Sequence, residues 1–388
     1  MKTRKTFLPY HLPSIGKDEI TEVVDTLKSG WITTGEKTHR FENDFARYTR
    51  SKYAVALNSC TAAMHLALVA AGVGEGDEVI TTPYTFAATA AVAIWLKARP
   101  VFVDIDRRSF NINCELIEAA ITKKTRAIMP VHIGGHPCDM DIIKRISGQH
   151  NLTVIEDAAH ALASKYKGKP IGSIGDMTAF SFYATKNITT GEGGMLTTDN
   201  EEFASRVRKL SLHGLSKDAW KRYGASGSWY YEIEEPGFKD NLSDIMASLG
   251  IHQLKRLNEF QSIRRKYADI YNREFNGMDF IDVPYVDRDI EHSRHLYIVQ
   301  LRLEGLSVDR AGFIEALRQM NIGTSVHFIP LHMHPYYARA FGYKPDDFPN
   351  ARYVYERAVS LPLYPAMTEE DINDVVRSVK YIANKYAR

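Results

Sequence analysis

The chain has 388 residues, of which 44% are hydrophobic and 25% are charged, and its formal net charge is +2. This is an ordinary globular composition, long enough for two domains, and the balanced charge gives no electrostatic reason to expect a nucleic-acid or membrane partner. The three cysteines, Cys60, Cys114 and Cys138, form no CxxC pair. The sequence also shows no signal-peptide pattern and no run of about 20 apolar residues. We therefore expect a reduced, cytoplasmic protein.

The first part of the chain alternates between predicted strands and helices. Such alternation predicts an α/β fold with a mostly parallel sheet covered on both faces, in which ligands bind at the carboxyl ends of the strands. Helices are predicted at 18–29, 62–71, 87–96, 115–120, 140–146 and 200–210, and strands at 53–57, 78–81, 101–104, 126–131, 152–155, 178–183 and 195–198.

A long amphipathic helix, 242–275, follows a loop rich in Trp and Tyr at 220–231. Helices of this length commonly bridge two domains. We therefore predict a large domain with an N-terminal arm at 1–250 and a small α/β domain at 251–388. The small domain is predicted to contain strands at 296–303 and 323–328 and helices at 308–320, 350–358 and 369–385.

Lys186 lies at an unusual position for a lysine. It follows the predicted strand 178–183 and precedes the glycine-rich turn 191–194, whereas lysines ordinarily lie on solvated helix faces. In a parallel sheet, the residues that follow neighbouring strands meet at one edge. The other candidate groups that follow or end predicted strands are Ser59, Cys60, Thr61, Phe86, Asp157 and Ser181.

These residue types fit one cofactor chemistry. A lysine forms a Schiff base with the carbonyl of pyridoxal 5'-phosphate, and a carboxylate such as Asp157 can keep the pyridine nitrogen protonated. His160, three residues after Asp157, is the candidate for a group that lies near the ring oxygen and tunes the Schiff base. Phe86 is a candidate to stack on the ring, and Cys60, Thr61 and Ser181 are candidates to hold the phosphate. Taken alone, Asp157 is better explained as a helix cap, and residues 58–61 as a simple helix cap.

Three further patterns are ambiguous. The loop 30–35 reads either as a helix stop with a packed Trp31 or as a loop facing a ligand, and we retain Trp31 and Thr33 as candidate substrate contacts. The glycines at 72–76 follow a helix and precede a strand, which is the wrong order for a dinucleotide site. The histidines at 327, 332 and 334 lack an HExxH pattern or a cysteine partner, so we predict no metal.

Five motifs, in order along the chain, resemble the DegT/DnrJ/EryC1/StrS family of pyridoxal-phosphate-dependent sugar aminotransferases. The resemblance implies fold type I, the aspartate aminotransferase fold. It is closest to the branch acting on UDP-linked 4-keto sugars, such as UDP-4-amino-4-deoxy-L-arabinose aminotransferase. The motifs are Gly-Trp-Ile-Thr-Thr-Gly (30–35), Asn-Ser-Cys-Thr-Ala-Ala (58–63), Pro-Tyr-Thr-Phe-Ala-Ala-Thr (83–89), Glu-Asp-Ala-Ala-His-Ala (156–161) and Ser-Phe-Tyr-Ala-Thr-Lys-Asn (181–187) with Gly-Glu-Gly-Gly (191–194).

The resemblance also implies roles. Lys186 would be the catalytic residue, and Asn241 would reach the phosphate of the neighbouring subunit, so a homodimer with shared active sites is expected. His327 and His332 match a stretch near the sugar site, without individual roles. Cys60 departs from the family, which mostly has Gly or Ala there. Members that dehydrate their substrate have His in place of the lysine, so Lys186 argues against that activity.

The predicted reaction transfers the amino group of L-glutamate, which becomes 2-oxoglutarate, to a 4-keto deoxy sugar linked to a nucleotide, with UDP favoured. Surface-glycan biosynthesis, including lipopolysaccharide, is the pathway that the resemblance implies. One alternative is a 3-keto nucleotide sugar as acceptor. A second, from another class, is a non-catalytic regulatory protein that binds pyridoxal phosphate.

Overall fold

The computed structural model describes residues 4–216 and 230–388. The predicted loop at 220–231 therefore lies almost wholly outside the described residues. No helix in these two ranges combines the length and the apolar character needed to cross a membrane, and no three potential metal-ligating side chains in them are grouped as a metal site would require.

The described chain alternates helices and strands over most of its length. The helices are α1 (Lys17–Ser29), α2 (Glu36–Thr49), α3 (Cys60–Ala70), α4 (Ala87–Trp95), α5 (Met140–His150), α6 (Glu201–Leu210), α7 (Asp244–Phe275), α8 (Arg310–Gln319), α9 (Pro335–Phe341), α10 (Pro349–Arg357) and α11 (Glu369–Lys385). The strands are β1 (Tyr53–Leu57), β2 (Glu78–Thr81), β3 (Arg99–Phe102), β4 (Thr125–Ile128), β5 (Thr153–Asp157), β6 (Lys165–Tyr166), β7 (Lys169–Pro170), β8 (Met177–Ser181), β9 (Gly194–Thr198), β10 (Ile281–Asp282), β11 (Ile290–Glu291), β12 (Tyr297–Leu301) and β13 (Ala358–Leu361).

The largest sheet has seven strands in the order β1-β9-β8-β5-β4-β2-β3. The pairs from β8 to β3 are parallel, and β9 runs antiparallel to both of its neighbours. The predicted α/β architecture with a mostly parallel sheet is confirmed. Because β5 and β8 are adjacent and parallel, the residues that follow Asp157 and Ser181 emerge at the same edge.

Helices cover both faces of this sheet. Helix α3 is apolar on nearly all sides, since nine of its eleven residues are buried, and such a helix is stable only inside a core. On the opposite face α2 contributes Phe41 and Phe45, which pack against Phe180 and Phe182 with ring centroids 5.1–5.5 Å apart. Burying aromatic rings of this size fixes the position of β8 just before Lys186.

The C-terminal part contains an antiparallel sheet, β10-β12-β13, packed against α8 and α11. The predicted strand at 323–328 is wrong, because only Ser325 pairs there, in one bridge to Ser360 of β13. The sequence analysis did not predict α2, α9 or β13. Helix α7 joins the cores of both parts, and the division of the chain near residue 250 stays a prediction.

The N-terminal segment, residues 4–16, ties the two parts together. Arg4 forms ion pairs of 2.6 and 2.8 Å with Asp371 and Asp374. Leu8 pairs with Ile322 through backbone hydrogen bonds, and Ser14 accepts a hydrogen bond from Gln253 on α7. These contacts hold the intervening residues, Tyr10 and His11, over the edge of the large sheet.

Candidate active site

A cavity of about 360 Å³ opens where β5 and β8 end. Its wall combines residues from the large sheet, from the N-terminal segment and from the C-terminal part. Among the predicted site residues, those that line it are Cys60, Thr61, Phe86, Asp157, His160, Ser181, Lys186 and His327. Residues spread over more than 260 positions of sequence are therefore brought together around one space.

Lys186 lies in a turn directly after β8. Its backbone N–H donates to the Tyr183 carbonyl at 2.9 Å, and Phe182 N–H donates to the Gly193 carbonyl at 2.8 Å, which closes the glycine-rich loop. Burial lowers the pKa of the Lys186 amine to about 8, and the nearby Cys60 and Asp157 act in the opposite direction. A lysine with such a pKa supplies an appreciable fraction of neutral, nucleophilic amine near neutral pH.

Asp157 ends β5 and is buried. Its Oδ2 accepts a hydrogen bond of 2.8 Å from Thr89 Oγ, and its Oδ1 accepts one of 3.1 Å from Ala159 N–H. Burial nevertheless raises the pKa of this carboxyl, while its hydrogen bonds and Lys186 act to lower it. An ionised carboxylate in such a place is stabilised by a cationic partner on its cavity side.

The start of α3 forms one end of the cavity. The Ser59 hydroxyl caps the helix by accepting a 3.0 Å hydrogen bond from Ala62 N–H, so the predicted cap is confirmed, while the helix begins at Cys60, two residues before the predicted start. The backbone N–H groups of Cys60 and Thr61 donate no hydrogen bond within the described ranges. A side chain at Gly194 would place its Cβ 2.5 Å from Cys60 N, so β9 can approach this helix end only as glycine.

Free N–H groups at a helix start, together with the helix dipole, form a binding site for an anion. Ser181, half-buried in the wall, accepts a 3.3 Å hydrogen bond from Tyr183 N–H and keeps its own proton free to donate. Cys60 contributes a neutral thiol, because burial raises its pKa well above the ordinary value. The groups that can bind the anion are therefore backbone N–H groups and hydroxyl groups.

Phe86 and His160, the two rings predicted to contact the cofactor, both border the cavity. Phe86 precedes α4, is 65% exposed and lies 6.2 Å from the Phe328 ring. His160 is buried, and its Nδ1 accepts a 3.2 Å hydrogen bond from Gly134 N–H. A neutral His160 therefore carries its proton on Nε2, and burial keeps its pKa well below the ordinary value. The Phe328 ring stacks on His160 at 5.8 Å.

Four predicted site residues lie outside this cavity. Thr33 is exposed, and Trp31 donates its indole N–H to the Thr34 carbonyl at 3.1 Å. Asn241 donates to the Thr34 hydroxyl at 2.6 Å. His332 is fully buried against Phe348, with its Nε2 3.2 Å from the Pro345 carbonyl. The structure thus places His332 in the core and the other three on the 30–35 loop or next to it.

The sequence analysis missed several residues of the wall. Tyr10 and His11 reach it from the N-terminal segment, and Thr89 and His295 face it from within the core. His295 is buried with its Nδ1 unpartnered in the described part of the chain, and its ring lies 4.7 Å from that of His160. Thr89 follows Phe86 by one helical turn, and this spacing could have identified it as a residue on the same side of the helix.

The arrangement can perform amine chemistry on a carbonyl compound. A lysine with a lowered pKa faces the same space as a buried carboxylate and an anion-binding helix end. The lysine can attack a carbonyl and move protons, and the carboxylate can hold a proton on a ring nitrogen. The geometry therefore suits a phosphorylated, nitrogen-containing aldehyde.

Comparison with known proteins gave a family match over most of the chain. The model of the DegT/DnrJ/EryC1/StrS aminotransferase family matches residues 13–380. The spore coat polysaccharide biosynthesis protein SpsC of Bacillus subtilis is 54% identical over 98% of both chains. The uncharacterized protein MJ1066 of Methanocaldococcus jannaschii is 58% identical over 98% of this chain and 99% of that protein.

Solved structures give the same family. The putative sugar aminotransferase Spr1654 of Streptococcus pneumoniae, in its PMP form, superposes with a TM-score of 0.92 at 38% identity, covering 97% of this chain and 99% of that one. Its PLP form gives a TM-score of 0.91. PseC of Helicobacter pylori, an aminotransferase of pseudaminic acid biosynthesis, gives 0.91 at 27% identity, covering 98% of this chain and all of that one.

Proposed function

The chain belongs to the DegT/DnrJ/EryC1/StrS aminotransferase family, and from that membership we propose that it transfers the amino group of L-glutamate to a UDP-linked 4-keto deoxy sugar. It is a pyridoxal-phosphate-dependent sugar aminotransferase of fold type I. Its relatives SpsC and PseC act in spore coat polysaccharide and pseudaminic acid biosynthesis, which supports an acceptor destined for a surface glycan. The narrower assignment to the UDP-4-amino-4-deoxy-L-arabinose branch, and to lipopolysaccharide, rests on sequence resemblance.

The residues that line the cavity support this cofactor assignment. The free N–H groups of Cys60 and Thr61 and the Ser181 hydroxyl would hold the phosphate, and Phe86 would cover one face of the ring. His160 would offer its Nε2 proton to the ring oxygen. When bound, pyridoxal phosphate supplies an electrophilic carbonyl carbon and a protonated ring that accepts the electrons of the substrate's broken C–H bond.

The observation that carries the proposal is that Lys186 and Asp157 face one cavity, each with its pKa displaced by burial. An ionised Asp157 would form an ion pair with a protonated pyridine nitrogen and so keep the proton on that nitrogen. With the cofactor bound, Lys186 would be the residue whose neutral amine condenses with the carbonyl carbon, with loss of water, and once displaced by the amino donor it would move the proton at substrate Cα. Asp157 is buried, so its charge is poorly screened by water and its pairing with a cation in the cavity is correspondingly stronger.

We expect L-glutamate to convert the cofactor-loaded protein in a single turnover. Its visible absorption band should collapse to the band of the amine form, with 2-oxoglutarate released in equal amount. D-glutamate is the matched control, since a cavity of fixed handedness presents Lys186 to only one face of Cα. A loaded protein that keeps its visible band with L-glutamate and with other L-amino acids would favour the non-catalytic alternative.

The acceptor is identified with a panel of nucleotide-linked keto sugars offered to the amine form. The 4-keto UDP sugar is expected to regenerate the visible band, and NMR of the product should place the new amine on C4. An amine on C3 would instead identify the 3-keto alternative.

We also propose a homodimer in which each subunit completes the partner's site. Large apolar side chains are exposed on α1 and at the cavity mouth, including Ile20, Leu27, Phe86 and Tyr183, which are 48–65% exposed, and a second copy would bury them. The domain division near residue 250 and a cytoplasmic location, consistent with three buried free cysteines, are part of the same proposal.

Sharing of active sites is tested by mixing two inactive variants, Lys186→Ala and Asn241→Ala. A mixed dimer keeps one site with both residues intact, so random exchange should restore about a quarter of wild-type activity. Each variant mixed with itself is the control. Failure to exceed these controls, after exchange of subunits has been verified by mass, would mean that Asn241 does not serve the partner's site.

A further inference from the structure

Two threonine hydroxyl groups connect the start of α4 to Asp157. The Thr89 hydroxyl donates to Asp157 Oδ2 at 2.8 Å, and the side-chain oxygens of Thr85 and Thr89 lie 2.8 Å apart. None of these three residues is more than 4% exposed, and all three belong to the cavity wall. The hydroxyl groups therefore form a buried chain that ends on the carboxylate.

The direction of this chain follows from the charge at its end. An ionised carboxylate only accepts hydrogen bonds, whereas a threonine hydroxyl has one proton to donate. Because Thr89 uses its proton on Asp157, the proton between the two threonines belongs to Thr85. Thr89 then accepts one hydrogen bond while it donates another, and such a chain polarises each hydroxyl group and strengthens the bond to the charged end.

The side chain of Thr89 does not follow the habit of threonines in helices. A threonine hydroxyl in a helix commonly bonds to the carbonyl three or four residues earlier. Thr26 and Thr49 do so in this protein, at 2.8 and 2.9 Å from the carbonyls four residues before them. Thr89 donates instead to a residue 68 positions away, so its hydroxyl serves the carboxylate and not its own helix.

Backbone hydrogen bonds fix both ends of the chain. Asp157 N–H donates to the Pro130 carbonyl at 2.9 Å, and the Asp157 carbonyl accepts from His132 N–H at 3.1 Å. At the other end, the turn before α4 is tied to the C-terminal part, because Leu331 N–H donates to the Pro83 carbonyl at 2.7 Å. The threonine hydroxyls are thereby held at a fixed position relative to the carboxylate.

We propose that Thr89 and Thr85 are positioning residues that orient Asp157 and keep it ionised, so that a proton stays on the cofactor's ring nitrogen and not on the carboxylate. Hydrogen bonds donated to an ionised carboxylate make it less basic. Burial raises the pKa of Asp157, and the Thr89 hydroxyl acts most strongly against that rise. One carboxylate oxygen accepts from Thr89 and the other from Ala159, which leaves lone pairs for the ring nitrogen. The inference rests on the proposed role of Asp157.

The ring nitrogen reports this role without turnover. Protein loaded with ¹⁵N-labelled pyridoxal phosphate gives a nitrogen resonance whose position differs between the protonated and the unprotonated ring, and Asp157→Asn supplies the unprotonated reference. The wild type is expected to give the protonated value at pH 7. Thr89→Val should move the resonance toward the unprotonated value, because the carboxylate becomes more basic. Thr85→Val should move it less, since Thr89 can still donate.

Thr89→Ser and Thr197→Val are the matched controls. Serine keeps the hydroxyl and should give the wild-type resonance, whereas valine keeps the shape of Thr89 without the hydroxyl. Thr197 on β9 is equally buried and donates to the Gly172 carbonyl at 2.9 Å, so its replacement removes a buried hydroxyl with a different partner. A Thr89→Val resonance equal to that of the wild type, or an equal effect of Thr197→Val, would refute the positioning role.

The carboxylate can also be followed in the protein without cofactor. With ¹³C-labelled aspartate, and Asp157→Asn to assign the signal, Asp157 should titrate at a higher pH in Thr89→Val than in the wild type. Other titratable groups lie near this carboxylate in the described part of the chain, and none of them is replaced: Lys186, His132, Cys60 and Cys138. An unchanged titration would mean that Thr89 does not favour the ionised form, and the inference would fall.

Both half-reactions depend on the ring proton, so both should be affected. Thr89→Val is expected to slow the reaction with L-glutamate and the reaction with a UDP-linked 4-keto sugar by about tenfold each, the effect of losing one hydrogen bond to a charged group. Thr89→Ser should recover the rates of the wild type. A loss in Thr89→Val that serine does not recover would indicate a packing effect and contradict the proposal.

The reference variant separates failure of this inference from failure of the assignments beneath it. If Asp157→Asn moves the ring-nitrogen resonance and Thr89→Val does not, this inference alone fails. If Asp157→Asn leaves the resonance in place, the role of Asp157 fails and the inference fails with it. If the loaded wild type reacts with neither L-glutamate nor the keto sugar, the proposed function fails, and the resonance still decides the role of Thr89.

Discussion

Replacing Lys186 with alanine is expected to lower kcat by at least about a thousandfold, the contribution of a positioned acid–base group and nucleophile. The reason is that Lys186 is the one lysine that the described residues contribute to the cavity wall, and its pKa is about 8. Rapid mixing with L-glutamate measures the loss directly. Borohydride reduction of the loaded wild type, followed by mass spectrometry, should find the cofactor on the peptide containing Lys186.

Lys97→Ala provides the control for this variant. Lys97 is an exposed lysine that forms an ion pair with Glu75 at 2.9 Å, so both half-reactions should be unaffected by its removal. Addition of a small primary amine to Lys186→Ala should recover part of the rate by supplying the missing base. Activity of Lys186→Ala within tenfold of wild type would remove this lysine from the mechanism.

The arrangement around Lys186 was largely predictable because it depends on local order along the chain. The strands were predicted at 152–155 and 178–183 from their strand-like residues, and the polar residues that end or follow them must meet when the strands are parallel neighbours. That reasoning predicts that Asp157, Ser181 and Lys186 lie at one edge of the sheet, and all three line the cavity there. The register of the pairing between Asp157 and Ala179 then fixes their relative height.

Contacts between distant parts of the chain could not be predicted from the sequence. Tyr10 and His11 reach the cavity only because Leu8 pairs with Ile322, and no local pattern signals such a pairing. The segment 323–328 has strand-like residues, but it sits at the wall of the cavity and forms a single bridge. Because these residues line the site and do not pair in a sheet, their strand propensity led to a wrong prediction.

Helix α2 was missed for a related reason. Its residues are mostly polar or charged, and only Phe41, Phe45 and a few neighbours are buried. Its position is set by tertiary anchors, since the Asp244 carboxylate accepts hydrogen bonds from the backbone N–H groups of Gly35 and Thr38 at 2.8 and 2.9 Å. This cap links the starts of α2 and α7 across more than 200 residues and could not be read from either segment alone.

Replacing Asp157 with asparagine should produce the second large effect, a loss of about a hundred- to thousandfold in kcat with weaker cofactor binding. Asparagine keeps the size of the side chain, and its oxygen can still accept from Thr89 or from Ala159 N–H. It cannot carry the negative charge that holds a proton on the pyridine nitrogen. Measuring both half-reactions at saturating cofactor separates slow chemistry from incomplete loading.

The same substitution should stabilise the protein without cofactor, and this opposite sign makes the test specific. Burial raises the pKa of Asp157 above the ordinary value of 3.8. Its ionisation therefore costs folding free energy as the pH rises through the unfolded-state pKa, and the cost is absent below it. Cofactor-free Asp157→Asn should melt higher than wild type at pH 7 and equally at pH 3. Pyridoxal phosphate should reverse the order at pH 7, because it supplies the cation that the wild-type carboxylate lacks.

Asp141→Asn provides the control, and it should show neither effect. Asp141 is an exposed carboxylate that lies 2.6 Å from Lys167. A lower melting temperature for cofactor-free Asp157→Asn would mean that the carboxylate stabilises the fold by itself and is not held ready for a cation.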